Sequence, residues 1–273
     1  MTHNQSTHNT PVNAVIFDWA GTLVDFGSLA PTQIFVDAFS SFGIDVTLKQ
    51  AREPMGLSKR EHIRQLLLMP EVRRQWLARF SREPSEADID AVYTRFMPLQ
   101  IAKVGAYSAP IPGAAATLDW LRRHNIKIGS CSGYPRAVLD VLLPLAAKRG
   151  VQADHAVAGD DLPSGARPGA GMALANVLAL GVQDVRACVK VDDTVPGIEE
   201  GRNAGMWCVG ITLSGNEVGC APEELTQLAP GELVARKALA EARLRAAGAH
   251  YVIDSVADLP AVIHQIERMR AYP

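Results

Sequence analysis

Residues 12–22 read Val-Asn-Ala-Val-Ile-Phe-Asp-Trp-Ala-Gly-Thr, and the fold is decided there. Val15, Ile16 and Phe17 form a short β-prone apolar run that delivers Asp18 directly into a turn at Gly21. Open α/β sheets bind their ligands outside the carboxyl ends of their strands. An acid at such an end is therefore either a cap for the segment that follows it or a functional group.

Working outward from this run, apolar β-prone segments at Ile126–Ser130, His155–Ala158, Ala187–Val191, Trp207–Ile211 and Tyr251–Ile253 predict further strands. They alternate with longer amphipathic segments, the pattern of βαβ units and a parallel sheet. Between Phe26 and Ile111 strand signals nearly vanish. Helices are predicted instead over Pro31–Phe42, Leu48–Arg52, Lys59–Met69, Val72–Phe80 and Ser85–Val104. Ser85 with Asp88 three residues on resembles a helix start. The run Ala109-Pro110-Ile111-Pro112-Gly113 is a stiff connector back to the α/β pattern. The expected layout is an α/β core, residues 12–25 and 106–273, interrupted by an all-helical insert, residues 26–105, with residues 1–11 as a disordered polar tail.

Composition narrows the function classes. Of 273 residues, 48% are hydrophobic and 21% charged, and 27 Lys plus Arg face 29 Asp plus Glu for a net charge of -2. That is an ordinary soluble balance, with no basic field for nucleic acid. The longest apolar stretches, such as Met172–Leu180, fall short of the roughly 20 residues a membrane helix needs. The polar start lacks a secretion signal, which implies a cytoplasmic protein. The four cysteines show no CxxC spacing and read as buried thiols.

Chemistry gathers at the other strand ends. The second core strand runs into Ser132 and Gly133, a hydroxyl and free N–H groups at a helix start, suited to a phosphoryl oxygen. The fourth runs into Asp192 and Asp193. Adjacent carboxylates repel, and a cation beside them relieves the repulsion. Together with Asp18 they would form an all-oxygen site of the kind that suits Mg²⁺.

The segments DWAGT (18–22), SCSGY (130–134), Arg167 and VDDTVPGIEEGRNAG (191–205) resemble the four motifs of the haloacid dehalogenase superfamily, with the insert in the place of its cap domain. The insert segment PMGLSKREH (54–62) is similar to the cap segment of the superfamily's phosphonatase branch, which carries a Schiff-base lysine. The resemblance runs from Val12 to the last helix. It implies a Rossmann-like parallel-sheet core with an inserted helical cap, a small anionic phosphonate as substrate, and hydrolysis of its carbon–phosphorus bond. It also implies Asp18 as nucleophile, Lys59 as the imine-forming amine, and Mg²⁺ held by Asp18, the Ala20 carbonyl and Asp193, with Asp192 as a further candidate. Ser132, Gly133 and Arg167 would bind phosphoryl oxygens, Met55 and Tyr134 would line the site, and His62 would either shuttle protons or lie at the surface. A homodimer through cap helices is implied as well. Phe35, Phe39 and Phe42 are either its interface or the cap's own core.

The residues support this by their own chemistry. Ester phosphatases of the superfamily carry an acid two residues after the nucleophile, to protonate the departing alkoxide; here that residue is Ala20. A carbon leaving group needs an electron sink instead, and an amine condensed with a neighbouring aldehyde makes one. For such attack Lys59 needs partial burial that lowers its pKa. The competing activity is a Mg²⁺-dependent phosphatase of small phosphate esters, which would use Asp18 without Lys59. Some positions depart from the superfamily pattern. Gly197 stands where a further acid is common, the Gly165–Gly169 stretch is one residue longer around Arg167, and Ser28 replaces a cysteine near the hinge.

Overall fold

The computed structural model describes residues 11–271, so the tail expectation lies outside the described residues save for Pro11. The strands are β1 (Ala14–Phe17), β2 (Lys127–Cys131), β3 (His155–Val157), β4 (Cys188–Asp192), β5 (Trp207–Ile211) and β6 (Tyr251–Ile253). They form one sheet in the order β3-β2-β1-β4-β5-β6, every pairing parallel. β1 is buried along its whole length, as a central parallel strand covered on both faces must be. Its side chains alternate between the two faces. Val15 and Phe17 join Val189, Val191, Val209 and Ile211 in one apolar layer, and Ala14 and Ile16 join Cys131, Val157 and Cys188 in the other.

The helices preceding β2 are α1 (Leu29–Ser40), α2 (Leu48–Arg52), α3 (Lys59–Leu68), α4 (Pro70–Phe80), α5 (Glu86–Val104) and α6 (Ala114–Arg123). After it come α7 (Arg136–Ala147), α8 (Gly171–Ala179), α9 (Val195–Asn203), α10 (Pro222–Leu225), α11 (Pro230–Ala247) and α12 (Leu259–Ala271). Helices α6, α7 and α12 cover one face of the sheet, and α8 packs on the other.

Helices α1 to α5 enclose a separate apolar cluster around Phe35, Phe39, Trp76, Ile89 and Phe96. Phe35 and Phe39 are fully buried in it and Phe42 packs against it, so of the two readings of these rings the cluster's own core holds and a dimer face on Phe35 and Phe39 does not. The connectors between this helical layer and the sheet run side by side. The Asp25 N–H donates to the Ala109 carbonyl at 3.2 Å and the Ile111 N–H to that of Leu23 at 2.9 Å.

Boundaries shift for local reasons. α1 begins at Leu29, two residues earlier than expected, because the Asp25 carboxylate accepts the Leu29 and Ala30 N–H groups and caps the helix from a distance. α4 begins at Pro70 rather than Val72, because proline suits the first helical position. β4 begins one residue late, since Ala187 closes the short Val185–Ala187 turn; Asp192 is thus the last residue of the strand. All four cysteines are free and buried. No helix among the described residues is long and apolar enough to cross a membrane.

The ring of Phe96 stacks on Phe35 at 4.4 Å in the centre of the helical layer. Phe96→Ala is expected to lower stability in urea denaturation by about 3–5 kcal/mol, whereas Leu178→Ala on the exposed side of α8 should stay within about 0.5 kcal/mol.

Candidate active site

Strand register assembles the site. Phe17 lies between Ser130 of β2 and Val191 of β4, so the residues following each strand emerge side by side. Asp18, whose N–H donates to the Val191 carbonyl at 3.0 Å, therefore stands next to Asp192 and Asp193 on one side and Ser132 on the other. Carboxylate oxygens of Asp18, Asp192 and Asp193 lie within 4.8 Å of one another, all three residues buried.

Such an acid cluster persists only with positive charge among it, and Arg167 supplies the first. One guanidinium nitrogen meets Asp18 at 2.8 Å and another Asp192 at 3.1 Å, while Nε donates to Glu200 at 2.9 Å. A further bond to the Cys131 carbonyl at 2.9 Å anchors the group to β2. Lys190, fully buried on β4, adds the second charge, 3.1 Å from Asp192 and 3.0 Å from Glu200.

Burial pushes the Asp18 carboxyl up to about 6 even though Arg167 draws it down, so it is mostly an anion at neutral pH. Burial also pushes Asp192 up, but Arg167 and Lys190 outweigh it and leave the group below the usual carboxylate range. Asp193 is held well above that range, first by burial and then by the Asp18 and Asp192 charges. Among the described residues its only aids are the Thr22 hydroxyl at 3.0 Å and the Asn216 N–H at 2.8 Å. Four buried carboxylates thus face two buried cations, an excess of two negative charges when all are ionised. An oxygen-only donor set with that excess fits a divalent cation.

The helical layer closes over this cluster. Ser58 caps α3, its hydroxyl accepting from the Glu61 N–H at 3.4 Å, and so sets Lys59 at the first helical position. There the amine is 3% exposed. It sits over the rings of Tyr134 and Phe35, 5.0 and 5.5 Å from their centroids. Burial lowers its pKa to about 7 against the attraction of Asp18. Lys59 and Asp18 line one small cavity together with Ala20, Met55, Ser132 and Tyr134. Its free volume is about 20 Å³, room for about one water molecule, so any substrate must enter with the helical layer lifted. The layer seats this closely because residue 133 is glycine: a Cβ there would lie 2.5 Å from the Leu57 carbonyl oxygen.

A model of the haloacid dehalogenase-like hydrolases matches residues 12–205, most of this chain. The chain belongs to that family. Phosphonoacetaldehyde hydrolase of Vibrio cholerae serotype O1 is 56% identical over 261 residues, 95% of this chain and 96% of its own. The enzyme of the same name from Aeromonas hydrophila is 56% identical over 263 residues, 96% of this chain and 94% of its own. The crystal structure of a phosphonoacetaldehyde hydrolase-like protein from Oleispira antarctica superposes with a TM-score of 0.93 at 45% identity, covering 96% of this chain and 94% of that one. A hydrolase from Pseudomonas syringae, with a TM-score of 0.69 at 19% identity, shares the fold.

Within this hydrolase the structure gathers Asp18, Ala20, Met55, Lys59, Ser132, Gly133, Tyr134 and Arg167 around one cavity, with Asp193 beside Asp18. The longer stretch around Arg167 does not displace it. His62 departs from its surface reading. It is fully buried, stacked on Phe35 at 3.7 Å with Nε2 bonded to the Ala51 carbonyl at 2.9 Å. Burial and then Lys59 hold it well below its ordinary pKa. At neutral pH it is therefore an uncharged imidazole inside the helical layer. Lys190, Glu200, Thr22 and Asn216 escaped the sequence reading. Lys190 alone carried a signal, a lysine inside a strand whose neighbours are all apolar.

Since the Lys59 pKa is depressed, its reactive free amine predominates above about pH 7. Trinitrobenzenesulfonate labelling of Lys59, located by peptide mass, should therefore rise with pH about a midpoint near 7. In Gly133→Ala, where the added methyl holds the helical layer off, the midpoint should move toward the ordinary lysine value of about 10.4.

Proposed function

We propose that this hydrolase cleaves the carbon–phosphorus bond of phosphonoacetaldehyde to give acetaldehyde and phosphate. The observation that carries the reading is a buried Lys59 amine, its pKa drawn down to about 7, in the same closed cavity as the Asp18 carboxylate. The 56% identity to phosphonoacetaldehyde hydrolases over 95% of the chain supports it. Ala20, apolar where an ester phosphatase needs its acid, weighs against the ester reading.

The reading divides the chain into a core, residues 12–25 and 106–273, and a cap, residues 26–105, with the Val24–Ser28 and Ala109–Gly113 connectors as hinges. In the open state substrate binds with its phosphonate oxygens toward Arg167, the Ser132 hydroxyl and the Gly133 N–H. The Lys59 lone pair attacks the aldehyde carbon, and loss of water leaves an iminium. An Asp18 oxygen then attacks phosphorus in line. The electron pair of the breaking carbon–phosphorus bond moves into the iminium, forming an enamine and an aspartyl phosphate. Water hydrolyses the acyl phosphate to phosphate and restores Asp18. The enamine takes a proton at carbon, and water hydrolyses the resulting imine to acetaldehyde and the free Lys59 amine. Asp18, the Ala20 carbonyl and Asp193 would hold Mg²⁺, whose charge would offset that of the phosphoryl oxygens beside the carboxylates. Burial in the cavity lowers the cost of deprotonating the Lys59 amine, against the attraction of Asp18.

The cytoplasm and a homodimer belong to the same reading. With Phe35 and Phe39 committed to the cap's core, the dimer would use other cap surfaces.

Borohydride added with phosphonoacetaldehyde should leave a stable mass addition on the peptide that holds Lys59. Lys59→Ala should show neither the adduct nor turnover. A folded wild-type protein that releases phosphate from the phosphonate without any trapped adduct would remove the amine from the mechanism.

A further inference from the structure

Asp192 and Asp193 leave β4 together, yet the groups around them differ. Both oxygens of Asp192 are engaged by strong partners. Oδ1 accepts from the Thr194 N–H at 3.1 Å and from its hydroxyl at 2.7 Å. Oδ2 faces Arg167 and Lys190, each at 3.1 Å. Asp193 has a single donor on each oxygen and no cation among its partners. Among the described residues Asp193 is the carboxylate without a compensating cation, whereas Asp192 is already paired with two.

Its place depends on Gly197. A Cβ at residue 197 would lie 2.0 to 2.2 Å from the Asp192 carboxyl atoms. The carboxylate therefore fills the volume that any side chain at 197 would enter. It also lies over the first turn of α9, where the helix dipole favours negative charge.

We propose that Asp192 is a positioning residue that acts on phosphoryl binding through Arg167, and that Gly197 is the residue that makes room for it. Arg167 has its Nε on Glu200 and one terminal nitrogen on Asp192 and the Cys131 carbonyl. These partners hold the planar fork so that its other terminal nitrogen points at Asp18, 2.8 Å away. Without the Asp192 charge the fork keeps Glu200 and the Cys131 carbonyl but loses one of its two lateral charged partners. Lys190 secures the arrangement from beneath by pairing with both acids. The residue that holds metal is then Asp193, and Asp192 is not a ligand. The inference rests on Arg167 as the phosphoryl-binding group of the proposed function, and it is independent of the amine chemistry.

The test uses inorganic phosphate and Mg²⁺, with no phosphonate, so a failure of the carbon–phosphorus reading leaves it intact. Calorimetric titrations with Mg²⁺ alone, then with phosphate at saturating Mg²⁺, are run on wild type, Asp192→Asn and Gly197→Ala. Asp192→Asn keeps the shape and removes the charge. It is expected to bind Mg²⁺ within about threefold of wild type and phosphate at least about tenfold more weakly, as for loss of a charged partner at a buried group. Gly197→Ala leaves every charge in place but pushes the Asp192 carboxylate from its volume, and should weaken phosphate binding in the same way. Equal loss of Mg²⁺ and phosphate affinity in Asp192→Asn would make Asp192 a metal ligand and overturn the proposal. Wild-type phosphate affinity in either variant would overturn it too. Should Gly197→Ala fail to fold, Asp192→Asn decides alone.

Discussion

The structure turns on one guanidinium. Parallel strands bring Asp18, Asp192 and Asp193 to a single end of the sheet, and α9 adds Glu200 beneath them. Desolvated carboxylates at such separations repel strongly. Arg167 touches three of the four acids, and its bond to the Cys131 carbonyl ties the cluster to the neighbouring strand. Lys190 repeats the arrangement one layer down. Removing either cation would leave uncompensated buried charge, which is far more damaging than the loss of one contact. The residual negative excess is what suits the end of this sheet to a divalent cation.

A second constraint comes from the helical layer, which brings an amine to the same place. Seated on Gly133, it leaves a cavity of about 20 Å³ and a Lys59 that is almost wholly desolvated. The closed state therefore strengthens the electrostatics around Asp18 and frees the amine of its proton. In the proposed reaction these two effects serve the two halves of one bond cleavage, the attack on phosphorus and the acceptance of the electron pair by carbon. In that reaction, opening would reverse both and couple substrate exchange to a protonated lysine.

Much of the fold was legible in the chain. The strands stood out because central parallel strands are apolar along their length, and their ends shifted by a single residue, as where the Val185–Ala187 turn claimed one from β4. The helical insert was legible through its lack of strand signals and the helix start at Ser85. Asp18, Lys59 and the acid pair could be named because strand ends and a rare motif single them out. The partners of these groups could not. Thr22 meets Asp193 across 171 positions and Arg167 meets Glu200 across 33. The burial of His62 was not legible because its neighbours, Phe35 and the Ala51 carbonyl, come from other helices.

The sequence by itself determined the layer architecture, the presence of a helical insert, and the chemical kinds of group at the strand ends, because periodicity and turn chemistry are local properties. Tertiary structure alone decided which acid is neutralised and which stays open to a cation, how dry the lysine is, and why residue 197 has no side chain. Each of these depends on distances between segments far apart in the chain, and at a buried site those distances set the charge, the proton and the space.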